Sequence, residues 1–262
     1  MDLQLKSKTA LVSGSTAGIG YAIAEALVRE GARVIVNGRT QAAVDKAVTQ
    51  LKATGGKVEG FAGDLSTVAA TEQLGKKFPD VDILVNNLGI FEPKPFEDIP
   101  DADWSRFFDI NVLSGVRLSR FYLPGMKKRD WGRIVFISSE SGVQIPAEMI
   151  HYGMTKTAQL AVSRGLAESL AGTGVTVNCV LPGPTRSRGV VDFVDALAKE
   201  EGKSFEAFEK EFFEKVRPTS LIKRFATPEE VAAMVTYVCS PLASATTGAA
   251  LRVDGGVLKS AF

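Results

Sequence analysis

Residues 9–20, with the sequence TALVSGSTAGIG, decide how this chain is expected to fold. A short β-type run, Thr9 to Val12, ends in a glycine-rich turn, and apolar residues then recur at helical spacing as far as Gly31. Glycines let the backbone approach a ligand closely, and the free N–H groups and dipole of the helix favour a pyrophosphate. The glycine spacing is G-x-x-x-G-x-G rather than the commoner G-x-G-x-x-G, so an ordinary βα turn is the alternative interpretation. The strand–turn–helix order favours a nucleotide site with these contacts: Gly14, Ser15, Thr16, Gly18, Ile19 and Gly20.

The alternation of strand and helix continues through the rest of the chain. Further strands are predicted at Arg33–Asn37, Lys57–Phe61, Val81–Val85, Arg133–Ile137, Val175–Val180 and Leu251–Val253. Helices are predicted at Gln41–Ala53, from near Ser66 to Lys77, from Asp101 or Asp103 to about Met126 with a stop near Pro124, at Ile150–Ala171, and from the N-cap Thr227 to about Cys239. This pattern predicts an α/β fold with a single domain over residues 1–262. The domain is a doubly wound (Rossmann), mostly seven-stranded parallel sheet with helices on both faces, and ligands bind at the carboxyl ends of its strands.

The second strand ends without the acidic residue that binds a ribose 2′-hydroxyl in NAD-dependent folds. Gly38 leaves space there, and Arg39 offers a planar, permanently charged group suited to a 2′-phosphate. NADP(H) is therefore the predicted cofactor, with a solvated surface arginine as the alternative. After the third strand, Asp64 with Leu65 is placed to bond an adenine amino group, or equally to cap the helix that begins near Ser66.

Residues 138–156, SSESGVQIPAEMIHYGMTK, carry the candidate chemistry. Tyr152 and Lys156 are four residues apart on a predicted helix and share one face. A nearby ammonium lowers the pKa of a phenol, which would allow Tyr152 to exchange protons near neutral pH. Ser139, at the end of the preceding strand, can hold a substrate oxygen against the tyrosine. A solvated Tyr–Lys face is the alternative, and the neighbouring His151 is interpreted as a packing or pocket-edge residue, not as the base.

Composition excludes several other classes of function. The net charge of +1 and the lack of a basic stripe argue against nucleic acid or an anionic membrane as a partner. Cys179 and Cys239 lie in apolar runs, and with a single histidine in the chain we expect neither a disulfide framework nor a metal site. No apolar run is long enough to span a membrane, and the amino terminus lacks a signal-peptide core, so a cytoplasmic location is expected.

Residues 186–217 resemble an insertion rich in Phe, Lys and Glu. The spacing of its apolar residues predicts two short helices broken near Gly202. A helical pair that follows the carboxyl end of a strand is typical of a mobile substrate lid. A fixed packing element is the alternative.

Several motifs together resemble the classical short-chain dehydrogenase/reductase family over nearly the whole chain. SGSTAGIG is similar to the family's cofactor loop, NNLG to its Asn-Asn-Ala-Gly turn, LPGP to its turn beside the nicotinamide and LRVDGG to its last strand region. Two departures are Ser13 in place of the usual Thr and Leu88 in place of the usual Ala. The resemblance implies four catalytic residues, Asn111, Ser139, Tyr152 and Lys156. It also implies cofactor contacts from Asn86, Asn87, Gly89, Tyr152, Lys156, Pro182, Gly183, Thr185 and Ser187.

The resemblance implies an NADP(H)-dependent oxidoreductase that acts on a carbonyl or secondary alcohol. Tyr152 would be the general acid/base, Lys156 would hold the nicotinamide ribose and lower the pKa of Tyr152, and Asn111 would hold a water that links Lys156 to solvent. A 3-oxoacyl thioester is one substrate class within the family, and a sugar, a steroid or a small ketone is equally allowed. A homotetramer is the expected assembly. The alternative function is a catalytically silent NADP(H)-sensing binding protein.

Overall fold

The computed structural model describes residues 1–187 and 204–261. Its strands are β1 Thr9–Val12, β2 Arg33–Gly38, β3 Val58–Ala62, β4 Ile83–Asn86, β5 Gly132–Ile137, β6 Val175–Pro182 and β7 Ala250–Val253. Within these residues the strands form one seven-stranded sheet in the order β3-β2-β1-β4-β5-β6-β7, and all neighbouring strands are parallel. The predicted doubly wound sheet is confirmed. Its strand order reverses between β1 and β4, where a crevice for a ligand opens.

Helices cover both faces of the sheet. The α-helices are α1 Gly18–Arg29, α2 Gln41–Lys52, α3 Val68–Lys77, α4 Asp101–Phe108, α5 Ser114–Lys128, α6 Ile150–Glu168, α7 Phe205–Glu211 and α8 Pro228–Val238. Two π-helical turns follow α4 and α7, at Asp109–Leu113 and Phe212–Val216. Short 3₁₀ turns lie at Phe96–Asp98, Glu140–Gly142, Ala147–Met149 and Pro241–Ala243.

Two helix boundaries differ from the sequence prediction. Pro124 lies inside α5, which continues to Lys128, so the predicted stop near this proline is wrong. Proline removes one backbone hydrogen bond, but Tyr122 and Met126 on either side are buried in the core, and their packing keeps the helix continuous. Helix α6 ends at Glu168, three residues before the predicted end.

The core lies in two layers because successive side chains of a strand point to opposite faces. In β1, Val12 packs on the face covered by α1 and α8, whereas Leu11 packs on the face of α3, α5 and α6. Cys179 and Cys239 are free and buried, as predicted. Helix α8 begins with the expected N-cap Thr227, whose hydroxyl and Glu230 form a capping box.

The predicted lid is only partly covered by the described residues. Residues 188–203, including the predicted break near Gly202, lie outside them. The described part contains α7 and the π turn that follows it. Phe213 of this turn packs in a small apolar cluster with Phe225. In the described ranges no helix has the length and apolar character required to cross a bilayer.

Candidate active site

A cavity of about 530 Å³ opens at the carboxyl ends of β1, β4, β5 and β6. Many of the predicted site residues line it. They are Ile19, Asn87, Gly89, Ser139, Tyr152, Lys156, Pro182, Gly183, Thr185 and Ser187. Residues separated by up to 168 positions in sequence thus meet in one crevice, because parallel strands end at the same edge of the sheet.

The glycine-rich turn is folded tightly under the crevice. Asn87 donates from its side-chain amide to the carbonyl oxygens of Ser13 and Gly14, at 3.0 Å each. A β-carbon on Gly20 would lie 2.4 Å from that amide nitrogen and 2.5 Å from the Gly14 carbonyl oxygen, so only glycine fits. Gly14 and Gly18 have φ angles of +59° and +57°, which also favour glycine.

The start of α1 is suited to an anion. Its N-cap, Ala17, makes no side-chain capping bond, and the first turn carries no acidic residue. The first N–H groups therefore keep their donor capacity, and the helix dipole adds positive potential at this end. These features fit the pyrophosphate of a dinucleotide.

Some predicted cofactor residues support the turn from beneath. Ser15 is fully buried, and its hydroxyl donates to the Val12 carbonyl at 2.6 Å and accepts from the Asn37 N–H at 3.0 Å. The Asn37 side chain accepts from the Gly14 N–H at 3.1 Å and donates to the carbonyls of Phe61 and Gly63. Asn37 thus ties three strand ends together. This role has no local signature in the sequence, because the contacts join distant segments.

Position 39 retains the feature expected of a 2′-phosphate site, whereas the space that Gly38 was predicted to leave is occupied by Thr16 and Val44. Arg39 is exposed, and a β-carbon on Gly38 would lie 2.5 Å from the Thr16 methyl group. The strand end is therefore packed directly against the glycine-rich turn, and the adjacent Arg39 is exposed to solvent. The proposed contact with a 2′-phosphate stays a prediction.

Three other predicted cofactor residues have different surroundings. The Asp64 carboxylate accepts from the N–H and hydroxyl of Ser66, at 3.0 and 2.7 Å, which favours the capping interpretation, although the N-cap of α3 itself is Thr67. Leu65 is completely buried in the core. Asn86 is also buried and donates to the hydroxyl of Ser119 on α5, at 3.1 Å.

The loop after β6 forms the wall beside the catalytic stretch. A β-carbon on Gly183 would lie 2.6 Å from the Asp254 carbonyl oxygen, so this turn lies against the segment after β7. The Thr185 hydroxyl donates to the Gly183 carbonyl at 2.9 Å, and the Ser187 N–H donates to the Thr185 carbonyl at 2.7 Å. These bonds keep the loop compact where it borders the cavity.

Helix α6 is held against the end of β5. The Ser138 hydroxyl donates to the Lys156 carbonyl at 2.8 Å, and the Thr157 hydroxyl donates to the Gly142 carbonyl at 2.7 Å. A β-carbon on Gly142 would lie 2.9 Å from the Lys156 carbonyl carbon. The 3₁₀ turn and α6 therefore approach closely, which brings Ser139 and Tyr152 to the same cavity.

Lys156 is buried, at 5% exposure, and its ammonium donates to the Ile137 carbonyl at 2.9 Å. Burial lowers the pKa of Lys156 from 10.5 to about 8. Its Nζ atom lies 5.5 Å from the centroid of the Tyr152 ring. Burial raises the pKa of Tyr152, and a hydrogen bond with Ser139 opposes that rise. The net shift of the Tyr152 pKa in the chain by itself is therefore upward, not downward as predicted, because desolvation of the phenol outweighs the interactions that favour the phenolate.

Asn111 lies in the π-helical turn between α4 and α5, a local irregularity that is frequent at functional sites. Its side-chain oxygen accepts from the Ile90 N–H at 2.8 Å. Its amide donates to the Ile90 carbonyl at 3.0 Å and to the Thr155 hydroxyl at 2.9 Å. Asn111 thus joins the loop after β4 to the helix of Tyr152. Its side chain is 1% exposed and bonded to both segments, which explains a poor helix former at this position.

Gln159 is a further polar residue that the sequence analysis did not identify. It is 1% exposed, its amide donates to the Asn111 carbonyl, and its oxygen lies 3.4 Å from the Lys156 ammonium. Its position three residues after Lys156 on the same helix was the available signal. Polar contacts of Gln159 thus connect the Lys156 ammonium with the Asn111 backbone, and the water that the resemblance implied at Asn111 stays a prediction.

His151 is fully buried, with ring centroids 4.1 Å from Phe107 and 6.0 Å from Trp104. This confirms its interpretation as a packing residue. Among the described residues neither of its ring nitrogens has a hydrogen-bond partner. The described residues also contain no group of three or more His, Cys, Asp or Glu that could hold a metal ion.

Comparisons with known proteins agree with this geometry. The family model described as enoyl-(acyl carrier protein) reductase matches residues 14–258. The chain is 49% identical over 264 residues to the uncharacterized oxidoreductase YvaG of Bacillus subtilis (strain 168), with 100% of each chain covered. It is 35% identical over 263 residues to the 3-oxoacyl-[acyl-carrier-protein] reductase of Aquifex aeolicus (strain VF5), covering 98% of this chain and 100% of that protein.

A solved structure shows the same similarity in three dimensions. The crystal structure of L-sorbose reductase from Gluconobacter frateurii, complexed with NADPH and L-sorbose, superposes with a TM-score of 0.93. The two sequences are 32% identical, and the match covers 99% of this chain and 100% of that one. Fold and site together define an oxidoreductase that uses a nicotinamide cofactor. The chain belongs to the short-chain dehydrogenase/reductase family, which confirms the resemblance seen in the sequence.

Proposed function

We propose that this protein is an NADP(H)-dependent oxidoreductase that transfers hydride between the nicotinamide and a carbonyl or secondary alcohol. The observation that carries the proposal is the convergence of Ser139, Tyr152 and Lys156 on one cavity, next to a helix N-terminus suited to a pyrophosphate. Tyr152 would hydrogen-bond the substrate oxygen, and Ser139 would contact the same oxygen. When bound, the nicotinamide supplies or accepts the hydride.

The residues present fit two groups of NADP(H), the pyrophosphate and the 2′-phosphate on the adenosine ribose. The N–H groups at the start of α1 would bind the pyrophosphate, because Ala17 offers them no capping side chain. Arg39 would bind the 2′-phosphate as a charge-assisted, two-pronged donor. The absence of an acid at the end of β2 supports NADP over NAD, as does the NADPH in the complex of L-sorbose reductase.

The proton chemistry follows from the buried phenol of Tyr152 and the buried ammonium of Lys156. A raised pKa keeps Tyr152 protonated near neutral pH, so its hydroxyl can donate a proton to the oxygen of a carbonyl substrate. Lys156, with a pKa of about 8, is mostly an ammonium at about pH 7. Its charge stabilises the phenolate that remains after the transfer. The resting protonation states therefore favour reduction of a carbonyl.

The substrate end of the cavity is largely apolar. Its wall is formed by aromatic and aliphatic side chains from four segments, namely Phe91, Met149, Phe208, Phe212, Val216 and Phe225. Such a wall accepts the carbon chain of a ketone better than a highly hydrated group. A 3-oxoacyl thioester is one substrate of this kind, and the similarity to the Aquifex reductase supports it. We also propose that residues 186–217 act as the substrate lid.

The proposal is tested by following NADPH oxidation against a panel of carbonyl compounds: 3-oxoacyl thioesters, ketose sugars, steroid ketones and small aliphatic ketones. We expect saturable turnover with at least one class, and slower turnover with NADH. NADPH binding with no turnover on any class would favour the catalytically silent sensor instead. A protein that bound no nucleotide would contradict both functions.

We further propose that copies of the chain assemble as a homotetramer through the helices that carry Asn111 and Tyr152. Phe108 on α4 and Phe121 on α5 support this, since they are 37% and 41% exposed despite their apolar rings. Sedimentation equilibrium of the purified protein should give four times the 28.0 kDa mass of the chain. A monomer at micromolar concentration would contradict the proposal.

A further inference from the structure

Glu140 is a buried acid beside the catalytic serine that the mechanism above does not use. It directly follows Ser139, begins the 3₁₀ turn Glu140–Gly142, and is only 5% exposed. One carboxylate oxygen accepts from the Ser139 hydroxyl at 2.6 Å, and the other accepts from Nε of Arg217 at 3.2 Å. The acid also lines the cavity. Both of its oxygens therefore have partners at the point where substrate would bind.

The ion pair with Arg217 is not a surface contact. The side chains of Arg217 and Glu140 are 12% and 7% exposed, and they join segments 77 residues apart. Burying a carboxylate is costly unless it is paired and hydrogen-bonded, and here both conditions are met. Arg217 follows the π turn Phe212–Val216, so the pair links the Phe-rich segment to the catalytic stretch.

The hydrogen-bond capacity of Ser139 decides what it can offer a substrate. A serine hydroxyl has one proton and two acceptor positions. The proton is directed at Glu140, and one acceptor position receives the Ser141 N–H at 3.1 Å. The second acceptor position faces the cavity beside Tyr152, whose hydroxyl can donate to it until a substrate hydroxyl takes that place. A charge-assisted bond to a carboxylate is stronger than a neutral one, so the proton is not easily redirected.

We propose that Glu140 is a positioning residue that holds the Ser139 hydroxyl as a hydrogen-bond acceptor toward the cavity, with Arg217 fixing Glu140 in place. An alcohol has a proton to give to such an acceptor, whereas a carbonyl has none. The pair therefore favours binding of the alcohol over the carbonyl, opposite to the bias toward reduction set by Tyr152. The inference rests on the proposed function, because it assumes that Ser139 contacts the substrate oxygen.

The test uses Glu140→Gln, which keeps the shape and removes the charge. With the amide oxygen facing Arg217, the amide N–H₂ would donate to Ser139 and free the serine proton for a carbonyl. Binding is measured by calorimetry in the two complexes that cannot react. These are the fastest-reacting ketone of the panel with NADP⁺, and its alcohol with NADPH. We expect the ratio of the two dissociation constants to move about fivefold to tenfold toward the ketone, as expected for one hydrogen bond.

Two further variants separate positioning from a general structural effect. In a Ser139→Ala background, Glu140→Gln should leave the ratio unchanged, because the group through which it acts is gone. Glu148→Gln is the matched control. Glu148 also pairs with Arg217, at 3.5 Å, but is half-exposed and has no bond to Ser139. We expect this variant to keep the wild-type ratio.

The outcomes are distinguishable from failure of the proposed function. If the wild-type protein turns over no carbonyl, the function itself is wrong. If turnover occurs but Glu140→Gln leaves the ratio unchanged, or shifts it equally with and without Ser139, only this inference is overturned. If Glu140→Gln fails to fold, Arg217→Met tests the same inference. It leaves Glu140 in place without its charged partner, and we expect it to shift the ratio only when Ser139 is present.

Discussion

Replacing Lys156 with Met should make the protein more stable at neutral pH while removing its activity. The buried ammonium has its pKa lowered from 10.5 to about 8, so the unfolded chain holds this proton more tightly than the folded chain does. Each pH unit of pKa difference is worth about 1.4 kcal/mol, so keeping the charge in the folded chain costs about 3 kcal/mol near pH 7. Met has a similar length and no charge.

The gain in folding stability of Lys156→Met is partly offset by a lost hydrogen bond. The Ile137 carbonyl, which accepts from Lys156 at 2.9 Å, would lose this donor, at a cost of about 1 to 2 kcal/mol. The net expectation is a stabilisation of about 1 to 2 kcal/mol near pH 7. The pH dependence has a definite sign. A lowered pKa in the folded state means that the wild-type protein gains stability as the pH rises from about 8 to 10.5.

Urea denaturation followed by fluorescence of Trp104 and Trp131 measures both effects. At about pH 7 the Lys156→Met variant should be the more stable protein, and at about pH 10 its advantage should be lost. Lys128→Met, at the exposed end of α5, is the control and should change stability by less than about 0.5 kcal/mol at either pH. A Lys156→Met variant that is less stable near pH 7, or an advantage that is equal at both pH values, would refute the reasoning.

Three other predictions test the cofactor site and the buried histidine. Arg39→Ala should weaken NADPH binding at least tenfold and change NADH binding less than twofold, as measured by fluorescence titration. The reason is that a hydrogen bond to a charged phosphate contributes about 1.5 to 3 kcal/mol of binding free energy, and NADH has no 2′-phosphate. Equal losses for the two cofactors would contradict the 2′-phosphate assignment. Gly20→Ala should abolish tight NADPH binding in the same titration, because the new β-carbon would lie 2.4 Å from the Asn87 amide nitrogen. The control is Gly165→Ala, whose β-carbon would have no neighbouring side chain within 4 Å; it should bind NADPH normally and gain about 0.5 to 1 kcal/mol of stability. Equal NADPH binding by both variants would contradict the site geometry. Burial lowers the pKa of His151, so between about pH 7 and 5 the unfolded chain binds a proton that the folded chain does not. As the pH falls through this range, the wild-type protein should lose thermal stability that His151→Phe retains. An equal fall in melting temperature for the two proteins would count against this.

The sequence predicted the elements of this fold because local patterns set them. Both ends of each of the seven strands in the described residues were predicted to within two residues. The glycine-rich turn and the spacing of Tyr152 and Lys156 also lie within one segment each. Pro124 shows the limit of local reasoning, since packing of the surrounding helix overrides its preference.

The parts of the site that were missed depend on contacts between distant segments. Arg217 reaches Glu140 across 77 positions, and Asn37 joins three strand ends, so neither pairing has a local signature. The direction of the Tyr152 pKa was also mispredicted. Proximity to Lys156 could be inferred from spacing, but the depth of burial, which decides the sign, depends on the whole fold.

The central claim is that the Tyr152 hydroxyl exchanges the proton that accompanies hydride transfer. The most direct test compares Tyr152→Phe with the wild-type protein in single-turnover reduction of the best ketone by NADPH, alongside NADPH binding. We expect the hydride-transfer rate to fall at least a thousandfold, on the order of the loss of a general acid, while the dissociation constant of NADPH changes less than threefold. Hydride transfer at the wild-type rate in the phenylalanine variant would contradict the account.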